Sequence, residues 1–119
     1  MRVLLIDDEK ELVSTLAERL SFRGIEADWV CSGKEALNKI EEQVYDVAVV
    51  DIKMPQIGGI QLKRMIADKY PDMKFIFMTG HGSEEDFLAG AEEAGEEFYL
   101  VKPVAIEELV KKMKQALDE

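Results

Sequence analysis

Hydrophobic and polar residues alternate along this chain in blocks that predict a β-strand followed by a helix, five times over. The predicted strands are short apolar runs, and they cover 3–6, 25–31, 46–50, 74–78 and 98–101. The first, third and fourth runs are almost continuously apolar, which is typical of parallel strands covered on both faces. The second run alternates with polar residues and is typical of an edge strand.

Amphipathic helices are predicted after every strand, because apolar residues recur there three or four positions apart and fall on one helix face. These residues are Leu12, Val13, Leu16, Ala17 and Leu20; Ala36, Leu37 and Ile40; Leu62, Met65 and Ile66; Phe87, Leu88 and Ala91; and Ile106, Leu109, Val110, Met113 and Leu117. Right-handed crossovers between the five βα units place helices on both faces of a parallel sheet, which is a three-layer α/β fold.

Length and charge narrow the range of functions. The 119 residues suit one domain, predicted here over 1–119, and the apolar content of 47% is enough for a core. A net charge of −10 disfavours nucleic acids and anionic membranes as direct partners. The single cysteine, Cys31, fits a reducing compartment. No apolar run approaches the roughly 20 residues of a membrane span, so we expect a cytoplasmic domain.

Polar side chains follow four of the five predicted strands, at the point where each strand ends. Asp7 and Asp8 follow the first strand, Asp51 the third, Thr79 the fourth and Lys102 the fifth. In an open parallel sheet, ligands bind beyond the carboxyl ends of the strands. We therefore expect these five side chains to meet at one edge of the sheet.

The predicted cluster combines three carboxylates with a hydroxyl and an ammonium group. Carboxylates this close together repel one another unless they are protonated or bind a cation. Hard oxygen ligands favour Mg²⁺ or a similar ion such as Mn²⁺. A metal ion and an ammonium group can neutralise a phosphoryl group, and a carboxylate can attack its phosphorus to form an aspartyl phosphate.

Each of these residues, taken alone, also has a purely structural interpretation. Asp8 and Glu11 have the spacing of a helix capping box. Asp51 could be a loop or cap residue, Thr79 a turn former and Lys102 a solvated lysine. These structural interpretations are less convincing for the set as a whole, because the residues occupy equivalent positions at the carboxyl ends of four predicted strands.

The sequence resembles the receiver domains of two-component response regulators, which are bacterial signalling proteins. Four segments carry the likeness, namely IDDEKE, VVDIKMPQIGG, FMTGHG and FYLVKP, and it covers essentially the whole chain. The resemblance implies a flavodoxin-like (βα)5 fold with the strand order 2-1-3-4-5. It also implies a phosphoprotein rather than a turnover enzyme, modified by a sensor histidine kinase in the presence of Mg²⁺ or Mn²⁺.

Matching the family motifs residue by residue assigns roles at the first and third strand ends. The resemblance implies that Asp51 is the phosphoacceptor and that Asp8, Asp51 and the backbone carbonyl of Lys53 bind the metal. Asp7 would act on the metal mostly through water. Lys53 and His81 occupy the variable positions that tune dephosphorylation in the family.

The resemblance assigns further roles at the fourth and fifth strand ends. Lys102 would contact the phosphoryl oxygens, Thr79 would move to hydrogen-bond them, and Tyr99 would swing inward behind Thr79. Alternation along the strand puts Phe98 on the opposite face from Tyr99, which favours Tyr99 as the switch. Pro103 would follow a cis peptide bond.

The third strand end carries the family pattern D-x-x-M-P-x-x-x-G. Its glycine falls on Gly59, and Gly58 takes a position that is often polar in the family.

Output and partners are less constrained by the sequence. The acidic segment 83–97 and the last helix, with Lys111, Lys112 and Lys114, could pair across a phosphorylation-dependent homodimer or dock a basic partner. A merely solvated face is the alternative. The sequence leaves open whether the receiver acts alone, through a downstream protein or through an output domain of a longer chain.

Two functions of other classes remain as alternatives. A phosphatase-like enzyme with an aspartyl nucleophile usually has Asp-x-Asp after the first strand, whereas Asp7 and Asp8 are adjacent here. A flavin-binding module of the same architecture would need a phosphate-binding loop of Ser, Thr and Gly, where this chain has IDDEKE.

Overall fold

Five parallel strands form one sheet through the centre of the molecule. The computed structural model describes residues 1–80, 88, 92 and 98–118. Its strands are β1 (Arg2–Ile6), β2 (Glu26–Val30), β3 (Val47–Asp51), β4 (Lys74–Thr79) and β5 (Tyr99–Val101). Their order is β2-β1-β3-β4-β5, and every neighbouring pair is parallel. The predicted flavodoxin-like order is confirmed.

Helices cover both faces of this sheet. In the described part of the chain they are α1 (Lys10–Ser21), α2 (Gly33–Glu42), α3 (Gly59–Lys69) and α4 (Ile106–Leu117). The helix predicted over 83–97 lies outside the described residues, apart from Leu88 and Glu92. His81 lies outside them as well.

The sheet divides the core into two apolar clusters, as the alternation of side chains along a strand requires. Leu5 and Val49 belong to the cluster formed with α1 and α4. Leu4 and Val50 belong to the cluster formed with α2 and α3. The predicted three-layer arrangement is therefore confirmed, with the central strands β1 and β3 buried along almost their whole length.

Three residues predicted on apolar helix stripes are more exposed than the core, and the most exposed of them is Leu88, at 58%. Met65 is 41% exposed on α3, and Leu117 is 39% exposed at the end of α4. The apolar periodicity therefore overestimated how much of each helix is buried. In the residues that the structure describes, no helix is long and apolar enough to span a membrane.

The structural alternative for Asp8 and Glu11, a helix capping box, does not form. Glu9 is the residue that precedes α1, and no side chain caps this helix. A pair of hydrogen bonds similar to a capping box occurs instead at the start of α2, where Glu35 accepts from the residue before the N-cap Ser32. There, the backbone N–H of Glu35 donates to Ser32 Oγ at 3.1 Å, and that of Cys31 donates to Glu35 Oε2 at 3.0 Å.

Candidate functional site

Three carboxylates meet where β1 and β3 end. Asp7 and Asp8 follow β1 directly, and Asp51 is the last residue of β3. The two strands end level because Ile6 pairs with Val50. One oxygen from each of the three carboxylates lies within 4.8 Å of the other two. Hard oxygen donors at this spacing suit a divalent cation such as Mg²⁺.

Asp7 is the most firmly fixed of the three acids. It is fully buried, and its Oδ1 accepts a hydrogen bond of 2.9 Å from the backbone N–H of Glu9. Its own backbone N–H donates to the carbonyl of Val30 at 3.3 Å. By contrast, Asp8 is exposed, so this carboxylate faces solvent at the mouth of the site.

Lys102 reaches this cluster from the far edge of the sheet. It follows β5, where its backbone N–H donates to the carbonyl of Thr79 at 2.8 Å. Its side chain is 11% exposed, with Nζ at 2.6 Å from Asp7 Oδ2 and 3.7 Å from Asp51 Oδ2. The Lys102–Pro103 peptide bond is cis, as the resemblance implies.

Glu9 is a member of the site that the sequence did not single out. Its Oε1 lies 2.7 Å from Lys102 Nζ, so the ammonium group contacts two acids of the segment after β1. Glu9 stands in the IDDEKE segment beside Asp7 and Asp8. Its position directly after two acids was the only feature of the sequence that could have indicated its role. Its partner, Lys102, follows a distant strand and reaches Glu9 through a long side chain.

Burial and charge together shape the electrostatics of the site. Burial, and then the charge of Asp7, raise the pKa of Asp51 to about 6, although Lys102 acts in the opposite direction. Burial also raises the pKa of Asp7 in spite of its hydrogen bond to Lys102. Burial lowers the pKa of Lys102, but hydrogen bonds to Asp7 and Glu9 outweigh it, and the net shift is upward. The carboxylates thus favour an additional cation.

The segment between β3 and α3 depends on a glycine beside the acceptor candidate. A Cβ on Gly59 would collide with the backbone carbonyl of Asp51, so only glycine allows this close approach. The N–H of Gly59 donates to the carbonyl of Ile52 at 2.9 Å and closes the turn. Gly58 precedes α3 at the position that is often polar in the family, and no side chain caps this helix.

Thr79 and Tyr99 lie on the last two strands, and of the two only Thr79 lines the cleft with Asp8 and Asp51. Thr79 ends β4 and is 1% exposed, while Tyr99 begins β5 and is buried. Tyr99 packs in the cluster of α2 and α3, whereas Phe98 packs in that of α1 and α4. The predicted opposite orientation of these two rings is confirmed, and the Tyr99 ring is already inward in this structure.

An open cleft of about 230 Å³ connects these groups. It is lined by Asp8, Glu9, Asp51, Lys53, Thr79, Gly80 and Lys102. The side chain of Lys53 is exposed, while its backbone N–H donates to the Asp51 carboxylate. The structure therefore brings Asp7, Asp8, Asp51, Lys53, Thr79 and Lys102 together, whereas Tyr99 packs in the apolar cluster behind the cleft lining. The cleft offers an acid, a hydroxyl and an ammonium group to one small anion.

Comparison with known sequences identifies the family of this chain. A family model described as the response regulator receiver domain matches residues 3–114 of the chain. Response regulator MprA of Mycobacterium avium is 33% identical over 117 residues, which are 98% of this chain and 51% of that protein. The chain thus spans about half the length of the curated relatives that it matches.

Solved structures show the same likeness. A CheY-like response regulator receiver domain protein from Methanospirillum hungatei JF-1 is 33% identical, with a TM-score of 0.87 and coverage of 98% of this chain and 93% of that chain. The beryllofluoride-activated NtrC4 receiver domain dimer is 32% identical, with a TM-score of 0.87 and coverage of 98% and 96%.

Proposed function

This chain belongs to the response regulator receiver family, a group of signalling domains, and we propose that it works as a switch phosphorylated on Asp51. The observation that carries the proposal is the position of Asp51. Its carboxylate ends a buried strand at a cleft of about 230 Å³, between two further acids and the ammonium group of Lys102. The phosphodonor is the phosphohistidine of a sensor histidine kinase.

The proposed reaction is a direct transfer between two side chains. An oxygen of Asp51 attacks phosphorus, a P–O bond forms, and the P–N bond to the kinase histidine breaks with its electron pair returning to the imidazole. The product is an aspartyl phosphate. Phosphoryl transfer depends chiefly on positioning and charge neutralisation, which Lys102 and the hydroxyl of Thr79 provide at the ends of neighbouring strands.

We assign the metal to Asp7, Asp8, Asp51 and the backbone carbonyl of Lys53. The three carboxylates fit Mg²⁺ or Mn²⁺ because they offer hard oxygen ligands within 4.8 Å of one another. When bound, the ion neutralises the carboxylates and the phosphoryl oxygens. Asp7, which is buried and already paired with Lys102, acts mostly through water.

The switch follows from the added charge. A phosphoryl group brings about −1.5 to −2 charges to the end of β3. Thr79 and Lys102 are drawn towards it, and both are connected to the last two strands. Movement of these residues, with Tyr99 behind them, changes the face formed by β4, β5 and α4. That face controls an output domain or a downstream protein in the cytoplasm, while Lys53 and His81 tune the lifetime of the phosphate.

A phosphorylation-dependent homodimer is part of the proposal. The NtrC4 receiver domain, similar in sequence and fold, forms a dimer in its beryllofluoride-activated form. Helix α4 carries three lysines, Lys111, Lys112 and Lys114. Their positive charge can attract a second copy of this chain, whose net charge is −10. Sedimentation with and without beryllofluoride tests this, because a monomer at all concentrations would exclude the dimer.

Intact mass measurement tests the proposed function. After incubation with acetyl phosphate and Mg²⁺, the wild-type chain gains one phosphoryl group and the Asp51→Asn variant gains none. An equal gain in both proteins would overturn the assignment of Asp51 as the acceptor.

A further inference from the structure

We propose that Glu9 is a positioning residue that holds the ammonium group of Lys102 back from Asp51 until the acceptor is phosphorylated. This inference rests on the proposed function and extends it, because it assigns a role to a residue outside the metal and phosphoryl ligands. Glu9 would then set how readily the resting receiver accepts a phosphoryl group.

The ammonium group of Lys102 is unequally shared in the resting structure. It has three N–H donors. Nζ donates a charge-assisted hydrogen bond of 2.7 Å to Glu9 and forms an ion pair of 2.6 Å with Asp7. The distance of 3.7 Å to Asp51 is longer than a hydrogen bond. Lys102 is therefore held closely by the acids after β1 and makes only a longer ion pair with the acceptor candidate at the end of β3.

The two short contacts differ in how easily they can be broken. Asp7 is fully buried and fixed through its second oxygen by the N–H of Glu9 at 2.9 Å. The side chain of Glu9 is 63% exposed, so water can replace Lys102 at its carboxylate. Exposed ion pairs contribute little to stability. The contact with Glu9 is consequently the one that Lys102 gives up when it turns to a phosphoryl group.

Removal of this contact should favour the phosphorylated arrangement. Exposed pairs are weak, so we expect beryllofluoride, which mimics the phosphoryl group, to bind about three- to fivefold more tightly when Glu9 no longer competes. Two substitutions distinguish the loss of the contact between Glu9 and Lys102 from the loss of the negative charge of Glu9. Glu9→Gln removes the charge, whereas Glu9→Asp keeps the charge but withdraws the carboxylate by one methylene group.

The experiment titrates each variant with beryllofluoride at saturating Mg²⁺, verified for each variant, and follows the backbone amide signals of Thr79 and Gly80. Glu11→Gln is the matched control, because it removes the same charge from an exposed residue two positions further along α1. A second measurement follows the side-chain ammonium signal of Lys102 without metal, which reports its hydrogen bonding directly. The proposal predicts tighter binding and a shifted ammonium signal in both Glu9 variants but not in Glu11→Gln.

Several results would overturn the inference. If the Glu9 variants bind beryllofluoride as Glu11→Gln does, or if only the two charge-removing variants bind more tightly, Glu9 does not position Lys102. An unchanged ammonium signal of Lys102 in both Glu9 variants would likewise show that Glu9 does not position Lys102. A wild-type protein that does not bind beryllofluoride at all contradicts the proposed function itself, which distinguishes the two failures.

Discussion

The Nζ atom of Lys102 lies 2.6 Å from Asp7 Oδ2 but 3.7 Å from Asp51 Oδ2. The ammonium group of a residue that follows the edge strand β5 thus reaches past the end of β3 and lies closer to the acid after β1. Both acids are buried, with Asp7 fully covered and Asp51 5% exposed. Lys102 is therefore a structural counter-ion in the resting protein and, in our proposal, the phosphoryl ligand in the modified one.

Substitution of Lys102 should destabilise the fold. Lys102→Met leaves Asp7 buried beside Asp51 without its ammonium partner, and loss of one member of a buried pair is costly. We expect the free energy of unfolding to fall by about 2–4 kcal/mol, as measured by urea denaturation at neutral pH. Lys111→Met, at an exposed position of α4, is the control and should change stability little. Similar values for both variants would contradict the role of Lys102 as a counter-ion.

Neutralisation of Asp51 should stabilise the fold in the absence of metal. Its pKa rises from 3.8 to about 6 on folding, so the folded state disfavours the charged form. The charged Asp51 therefore lowers the free energy of unfolding. This loss is fully present above pH 6 and disappears as the pH falls through 6 towards 3.8. Asp51→Asn should therefore raise the unfolding free energy by about 1–3 kcal/mol at pH 7.5, with a smaller gain at pH 4. A gain that grows as the pH falls would have the wrong sign.

Mg²⁺ should stabilise the wild-type chain against thermal unfolding. A ligand that binds only the folded state adds about 2.7 kcal/mol at one hundred times its dissociation constant. Asp8→Asn should lose most of this effect, and because Asp8 is exposed the substitution should leave the metal-free fold intact. Differential scanning calorimetry with Mg²⁺ and with a chelator gives the comparison. An equal rise in melting temperature in both proteins would place the ion elsewhere.

Gly59 should tolerate no side chain. In Gly59→Ala the new Cβ would collide with the backbone carbonyl of Asp51 and displace the acceptor strand end. We expect a loss of about 2–4 kcal/mol in unfolding free energy. At Gly58 a Cβ would come no closer than 3.3 Å, to the carbonyl of Ile52, so Gly58→Ala is the matched control and should cost about 1 kcal/mol or less. Equal losses would contradict a specific requirement at Gly59.

Much of the fold was predictable from local patterns. Apolar runs placed β1 to β5, and the residue that ends or follows each run placed Asp7, Asp51 and Lys102 at one edge of the sheet. The strand order came from the family resemblance, and a parallel sheet brings the ends of all its strands to one edge. Burial of both faces of β1 and β3 follows from their continuous apolar sequences.

Contacts that depend on side-chain reach were not predictable. The pair of Glu9 and Lys102 joins residues far apart in the sequence through a long flexible side chain. The alternative capping box of Asp8 and Glu11 does not form because α1 begins at Lys10, so Glu9 and not Asp8 directly precedes the helix. The same pattern was present at Ser32 and Glu35, and there the helix does begin at the following residue.

The most direct test of the account identifies the residue that carries the phosphoryl group. The chain is phosphorylated with acetyl phosphate and Mg²⁺ and then treated with borohydride, which reduces an aspartyl phosphate to homoserine. Peptide mass spectrometry then locates the homoserine. The account predicts homoserine at position 51 and at neither Asp7 nor Asp8. Homoserine at Asp7 or Asp8, or a phosphorylated protein without homoserine at position 51, would contradict it.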